Sequence, residues 1–100
     1  MYVPIIPFPY VERDASLILD ESVSYSALEN TILSLKVPEL RLYKLVDRYK
    51  GKNMPAGKVS LTWRFIFQSS TRTLLSEEVD VMFARIVDEL TRIHSAELRK

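Results

Sequence analysis

Apolar and polar positions alternate most regularly between Lys58 and Gln68. There Val59, Leu61, Trp63, Phe65 and Phe67 take turns with Ser60, Thr62, Arg64, Ile66 and Gln68. A period of two sends successive side chains to opposite faces of a strand, so one face of this segment belongs to a core. Glu12 to Asp20 follows the same period, with Ala15, Leu17 and Leu19 on one side and Asp14, Ser16 and Ile18 on the other. Leu40 to Tyr49 alternates imperfectly: Lys44 and Arg48 interrupt whichever face is taken as buried. That pattern predicts an edge strand and admits a bulge.

Two stretches switch to the helical period. Ser24 to Leu35 carries Leu28, Ile32 and Leu35 as a stripe, with Ser26 and Glu29 at capping-box spacing. Ser76 to His94 carries Val79, Phe83, Ile86, Val87, Leu90 and Ile93 as its stripe. Its opening acids, Glu77, Glu78 and Asp80, suit the positive end of the helix dipole. Ala96-Glu97-Leu98-Arg99 reads as a short closing strand. The order is therefore β-α-β-β-α-β, the split βαβ arrangement of ferredoxin-like α+β folds. It implies a four-stranded antiparallel sheet, first and third strands central, two helices on one face and the other face uncovered.

Breakers divide the chain consistently with this reading. Residues 1–10 hold Pro4, Pro7 and Pro9, a stiff lead-in arm ahead of a domain over 11–100. Pro38 closes the first helical segment, and residues 50–57 form a loop containing both glycines, Gly51 and Gly57. One hundred residues are enough for one two-layer core and too few for a second. The chain has no cysteine, which excludes a disulfide scaffold and thiolate metal sites and suits a reducing, cytoplasmic setting. No apolar run is long enough to span a bilayer, so no membrane partner is expected.

Enzymatic chemistry finds little support. His94 is the only histidine, placed where a helix C-terminus favours a cation. Acylphosphatase-like chemistry on this fold needs a phosphate-cradling loop before the first helix, and Glu21-Ser22-Val23 has no glycine and the wrong charge. Copper carriage needs a CxxC that the chain lacks.

Charge points elsewhere. The formal net charge is only +1, yet Arg41, Lys44, Arg48, Lys50, Lys52 and Lys58 crowd one stretch against Asp47 alone. Such a run is either a solvated edge protected from aggregation or a track for phosphates. Asp47 and Tyr49 share a strand face, and Ser60 lies across the hairpin on the polar face of its strand. A carboxylate can accept from guanine N1–H and N2–H, a tyrosine can stack on a base, and a hydroxyl can hydrogen-bond beside them. The plainer alternative is a tyrosine packed at a sheet edge and an aspartate starting a turn.

Five segments, in order and over nearly the whole chain, resemble one family. Phe8-Pro9-Tyr10-Val11-Glu12-Arg13-Asp14 resembles its FP-x-V-x-RD opening, and Leu45-Val46-Asp47-Arg48-Tyr49-Lys50-Gly51 its LFDVYRG. Met54-Pro55-Ala56-Gly57-Lys58-Val59-Ser60-Leu61 resembles IP-x-GKKSL, Arg72 to Val79 resembles RTLTDEEV, and Leu98-Arg99 resembles the closing LR. The family is the ferredoxin-fold anticodon-binding domain of phenylalanyl-tRNA synthetase β subunits.

The resemblance implies a non-catalytic module that grips the anticodon stem-loop of tRNA-Phe. It implies as partners the rest of the β subunit and the α subunit of an (αβ)₂ enzyme. It implies no cofactor in this domain, the parent enzyme using ATP and magnesium elsewhere. Carried over, the contacts to the first anticodon base fall on Asp47, Tyr49 and Ser60. Lys44, Arg48, Lys50, Lys52, Lys58 and Arg64 are the candidate backbone contacts. Val46 stands in place of a phenylalanine and Arg48 in place of an apolar residue, which puts that strand's packing and register in question. Leu75 replaces a threonine, leaving Ser76 as the expected helix cap. Outside this family, the same pattern allows a ferredoxin-like interaction or regulatory module that pairs through its sheet.

Overall fold

The computed structural model describes residues 8–99. The prolines at 4 and 7, and with them most of the expected lead-in arm, lie outside the described residues. The elements are β1 (Val11–Asp20), α1 (Tyr25–Ser34), β2 (Leu40–Tyr49), β3 (Lys58–Phe67), α2 (Ser76–His94) and β4 (Glu97–Leu98). They build one sheet in the order β2-β3-β1-β4, antiparallel throughout. The expected ferredoxin-like α+β fold, with β1 and β3 at the centre, is what the chain adopts.

The alternating strands explain the centre. β1 and β3 pair without interruption from Val11–Phe67 to Asp20–Lys58. Their helix-side residues Ala15, Leu17, Leu19, Val59, Leu61, Trp63, Phe65 and Phe67 are all buried, together with Leu28 and Ile32 of α1 and Val79, Ile86, Val87 and Leu90 of α2. Trp63 is the hub: Tyr25 and Phe65 stack on it at 5.4 and 6.4 Å, with Tyr43 tilted against it. Apolar burial of this kind is the main stabilising term.

Helix ends differ from expectation in two places. The α1 cap is Ser24, whose Oγ accepts from the Ala27 amide at 3.1 Å, not Ser26. Glu29 sits a full turn inside the helix and instead accepts from the Tyr43 hydroxyl at 2.7 Å, tying α1 to β2. At α2 the Ser76 side chain does not cap either. Ser76 is already helical, and the residue before it, Leu75, has no side-chain oxygen to offer. Glu78 supplies the one available half of a capping box by accepting from the Leu75 amide at 2.8 Å.

Along the α2 stripe Val79, Ile86, Val87 and Leu90 are buried, Phe83 is half-buried, and Ile93 at the end is exposed. Ser95 then turns left-handed, with φ of 53°, and redirects the chain into β4. His94 serves the helix pair: its Nε2 lies 2.7 Å from the Thr31 hydroxyl, which donates to the Ala27 carbonyl, so the ring nitrogen is the donor.

Candidate nucleic-acid interface

β2 is an edge strand, and its register slips twice, between Leu40 and Leu42 and between Leu45 and Asp47. The second slip decides which way the candidate residues face. Leu45 pairs with Trp63 on the helix side. Two residues later, Asp47 would share that side in a regular strand. The bulge at Val46 adds one residue and reverses the parity, so Asp47 pairs with Thr62 and Tyr49 with Ser60 on the uncovered side. The departure from the family at Val46 thus falls on the bulged position, where the side chain is solvent-exposed and packs no core.

Asp47, Tyr49 and Ser60 are accordingly on one face. Asp47 and Tyr49 are exposed, whereas Ser60 is only 2% exposed and lies beneath its neighbours. The phenol end of Tyr49 lies directly over the backbone at Gly51: a Cβ there would be 2.3 Å from Oη and 2.6 Å from Cζ. Gly51 is therefore glycine to make room for that ring.

A residue not singled out in the sequence joins this group. Arg99, just beyond β4, anchors its amide on the Ser16 carbonyl at 2.8 Å. Its side chain reaches across β1, donates from Nη1 to Ser60 Oγ at 3.3 Å, and brings its guanidinium carbon to 5.5 Å from the Tyr49 ring centre. The closing Leu98-Arg99 pair was the available signal, but a two-residue strand has no periodicity to say where its side chains go.

The basic residues separate into engaged and unengaged. Arg64 makes a two-pronged pair with Asp14, Nε to Oδ1 at 3.0 Å and Nη2 to Oδ2 at 3.1 Å, with Glu12 at 3.6 Å. The hydrogen bond and charge of Arg64 hold the Asp14 carboxyl below the usual range. Lys50 is paired with Glu21, and Lys58 faces Asp20 across β3 and β1. Lys44, Arg48 and Lys52 are exposed and form no ion pair among the described residues. Lys44 lies opposite Arg64 on the uncovered face, but Arg48 pairs with Leu61 and so projects from the helix side of the edge. Arg48 is not brought together with Asp47 and Tyr49.

The Arg13-Asp14 pair is divided between the two sides of the sheet. Arg13 donates to Asp80 of α2 at 3.1 Å on the helix side, while Asp14 holds Arg64 on the other. Among the described residues no group of three potential metal ligands occurs, and no helix is long and apolar enough to cross a membrane. A groove of about 570 Å³ lies on the outer surface of α2, lined by Val81, Ala84 and the mixed charges Arg85, Asp88, Glu89 and Arg92. Its charges oppose one another and it has no aromatic platform, so its chemistry suits a base or phosphate poorly.

Fold and face together define a small α+β domain with a polar, aromatic patch on an uncovered antiparallel sheet, an arrangement able to receive an unpaired base. Comparison with known proteins narrows the class. The model of the ferredoxin-fold anticodon binding domain matches residues 7–99, and the chain belongs to that family. Among similar proteins, the phenylalanine–tRNA ligase beta subunit of Porphyromonas gingivalis is 36% identical over 92 residues, covering 92% of this chain and 11% of that protein. The beta subunit of Xylella fastidiosa is 37% identical over 92 residues, again 92% of this chain and 12% of the relative. That of Bacteroides thetaiotaomicron is 35% identical over 98 residues, 98% of this chain and 12% of the relative. The chain thus spans about an eighth of the length of these relatives.

Proposed function

We propose that this domain binds the anticodon stem-loop of tRNA-Phe and reads the guanine at its first anticodon position. The observation that carries the reading is the Val46 bulge, which turns Asp47 and Tyr49 to the uncovered face beside Ser60. Asp47 accepts from guanine N1–H and N2–H, Tyr49 stacks on the base, and Ser60 holds a neighbour in position by hydrogen bonding. Adenine presents neither of those two donors together, so the carboxylate discriminates. Lys44 and Lys52, exposed and without an ion pair among the described residues, are the cations best placed to meet phosphates; Arg64 and Lys50 are each occupied by a carboxylate, and Lys58 lies across from Asp20.

The domain is non-catalytic in this reading. Aminoacylation, with its ATP and magnesium, belongs to other parts of a longer β subunit and to an α subunit, and this module adds tRNA affinity by raising effective concentration. Binding of anticodon stem-loops carrying guanine or adenine at the first position tests it. Guanine is expected to bind tighter by about 1–3 kcal/mol, by analogy with a good bidentate base contact. Equal affinity for the two would remove guanine readout from the account. A protein-interaction module is the second reading, favoured by Leu42, which is 48% exposed on the uncovered face. Sedimentation distinguishes it: a tight dimer that covers Asp47 and Tyr49 would favour pairing over RNA.

A further inference from the structure

Among the described residues, Arg99 is the one cation that touches two of the three candidate base contacts, through Ser60 Oγ at 3.3 Å and the Tyr49 ring at 5.5 Å. Its position is built rather than accidental. The backbone is tied to β1 through Ser16, and the serine that receives its guanidinium is 2% exposed. At 5.5 Å the guanidinium lies over the Tyr49 ring, near the outer limit of cation–π contact, so a base that stacks on that face must move it aside. The displaced guanidinium, still beside Ser60, would then lie at the edge of the stacked base, within reach of it with a planar fork of donors.

We propose that Arg99 is a second specificity-determining residue of this site, contacting the O6/N7 edge of the same guanine whose N1/N2 edge faces Asp47. This rests on the guanine reading above. The chemistry is complementary. Asp47 offers only acceptors and guanine N1 and N2 only donors; Arg99 offers only donors and guanine O6 and N7 only acceptors. Adenine keeps N7 but presents an amino donor at position 6, which an arginine repels. Ser60 accounts for its own burial here: it holds Arg99 in register with the ring.

The experiment uses the full chain and stem-loops with guanine, 7-deazaguanine, inosine or adenine at the first position. 7-Deazaguanine lacks N7 but keeps O6, and inosine lacks the N2 amino group but keeps N1–H, so each removes one contact from one edge. Wild-type protein is expected to bind the guanine loop roughly five- to hundredfold tighter than R99A does. In R99A the penalty for 7-deazaguanine vanishes, while the penalty for inosine persists. R99K keeps the charge without the fork and is expected to regain salt-sensitive affinity but not the 7-deazaguanine penalty. A melting curve for each variant confirms folding. If R99A keeps the full 7-deazaguanine penalty, or wild type shows none, the assignment of Arg99 is overturned while guanine preference over adenine still stands. If wild type does not prefer guanine over adenine, the guanine reading falls and the assignment with it.

Discussion

Replacing Gly51 by alanine should separate the site from the fold. The added methyl would lie 2.3 Å from Tyr49 Oη and 2.6 Å from Cζ. Ordinary carbon contacts begin near 3.5 Å, so the ring must retreat by about 1 Å. No backbone strain accompanies the change, because Gly57 is the only described glycine with positive φ. Nor does the core suffer: Tyr49 is 38% exposed and can swing outward. Alanine also restricts the unfolded chain, which favours folding by about 0.4–1 kcal/mol. Stability is therefore expected to stay level or rise slightly. If Tyr49 is the stacking platform, its displacement forfeits part of a stacking term of about 1–3 kcal/mol, at most roughly a hundredfold in affinity. Denaturant melts and stem-loop titrations on G51A read the two effects independently. Unchanged RNA affinity, with NMR showing that the Tyr49 ring has moved, would refute the stacking role. A large loss of stability would refute the claim that Gly51 serves only the ring.

Two further expectations concern the ion pair and the tyrosine on β2. R64Q should lower thermal stability modestly at neutral pH. The deficit should shrink as pH falls through the depressed Asp14 value, because that pair stabilises only while the carboxylate is charged. A deficit that persists undiminished in strong acid would point to packing instead. The Glu29 carboxylate, hydrogen-bonded to the Tyr43 phenol, pushes that tyrosine up to about 12. The native state then keeps a proton that the unfolded chain has lost, so this contribution is complete below about 10 and falls away as pH rises through about 12. Tyrosinate absorbance should show one late-titrating group that E29Q brings earlier; an unchanged titration in E29Q would sink the assignment.

Much of this architecture is legible in the chain, and the parts that are not have physical reasons. β3 announces itself because a central strand under two helices must alternate strictly. Lys44 and Arg48 correctly mark β2 as an irregular edge, yet a broken pattern does not say where the extra residue goes. The sequence spacing alone would leave Asp47 and Leu45 on one side; only the paired register shows them parting. Both helix starts lie a residue or two from the capping position expected, because more than one residue can cap and the winner is set by where the sheet releases the chain. The burial of Ser60 and the reach of Arg99 depend on a contact between residues 39 positions apart, which no local period encodes.

The extra residue at Val46 has a consequence for how this strand tolerates change. Between the two slips the odd-numbered positions, Tyr43 and Leu45, answer to the hydrophobic interior; downstream of Val46, the odd-numbered positions answer to whatever ligand the surface meets. Selection can therefore retune the second half for recognition without repacking the first, and repair the first without disturbing recognition. Ironing out the bulge with the residue kept, so that Val46 paired with Thr62 in a regular ladder, would recouple the halves. It would turn the aspartate and tyrosine inward under the helices and force a choice between solubility and partner.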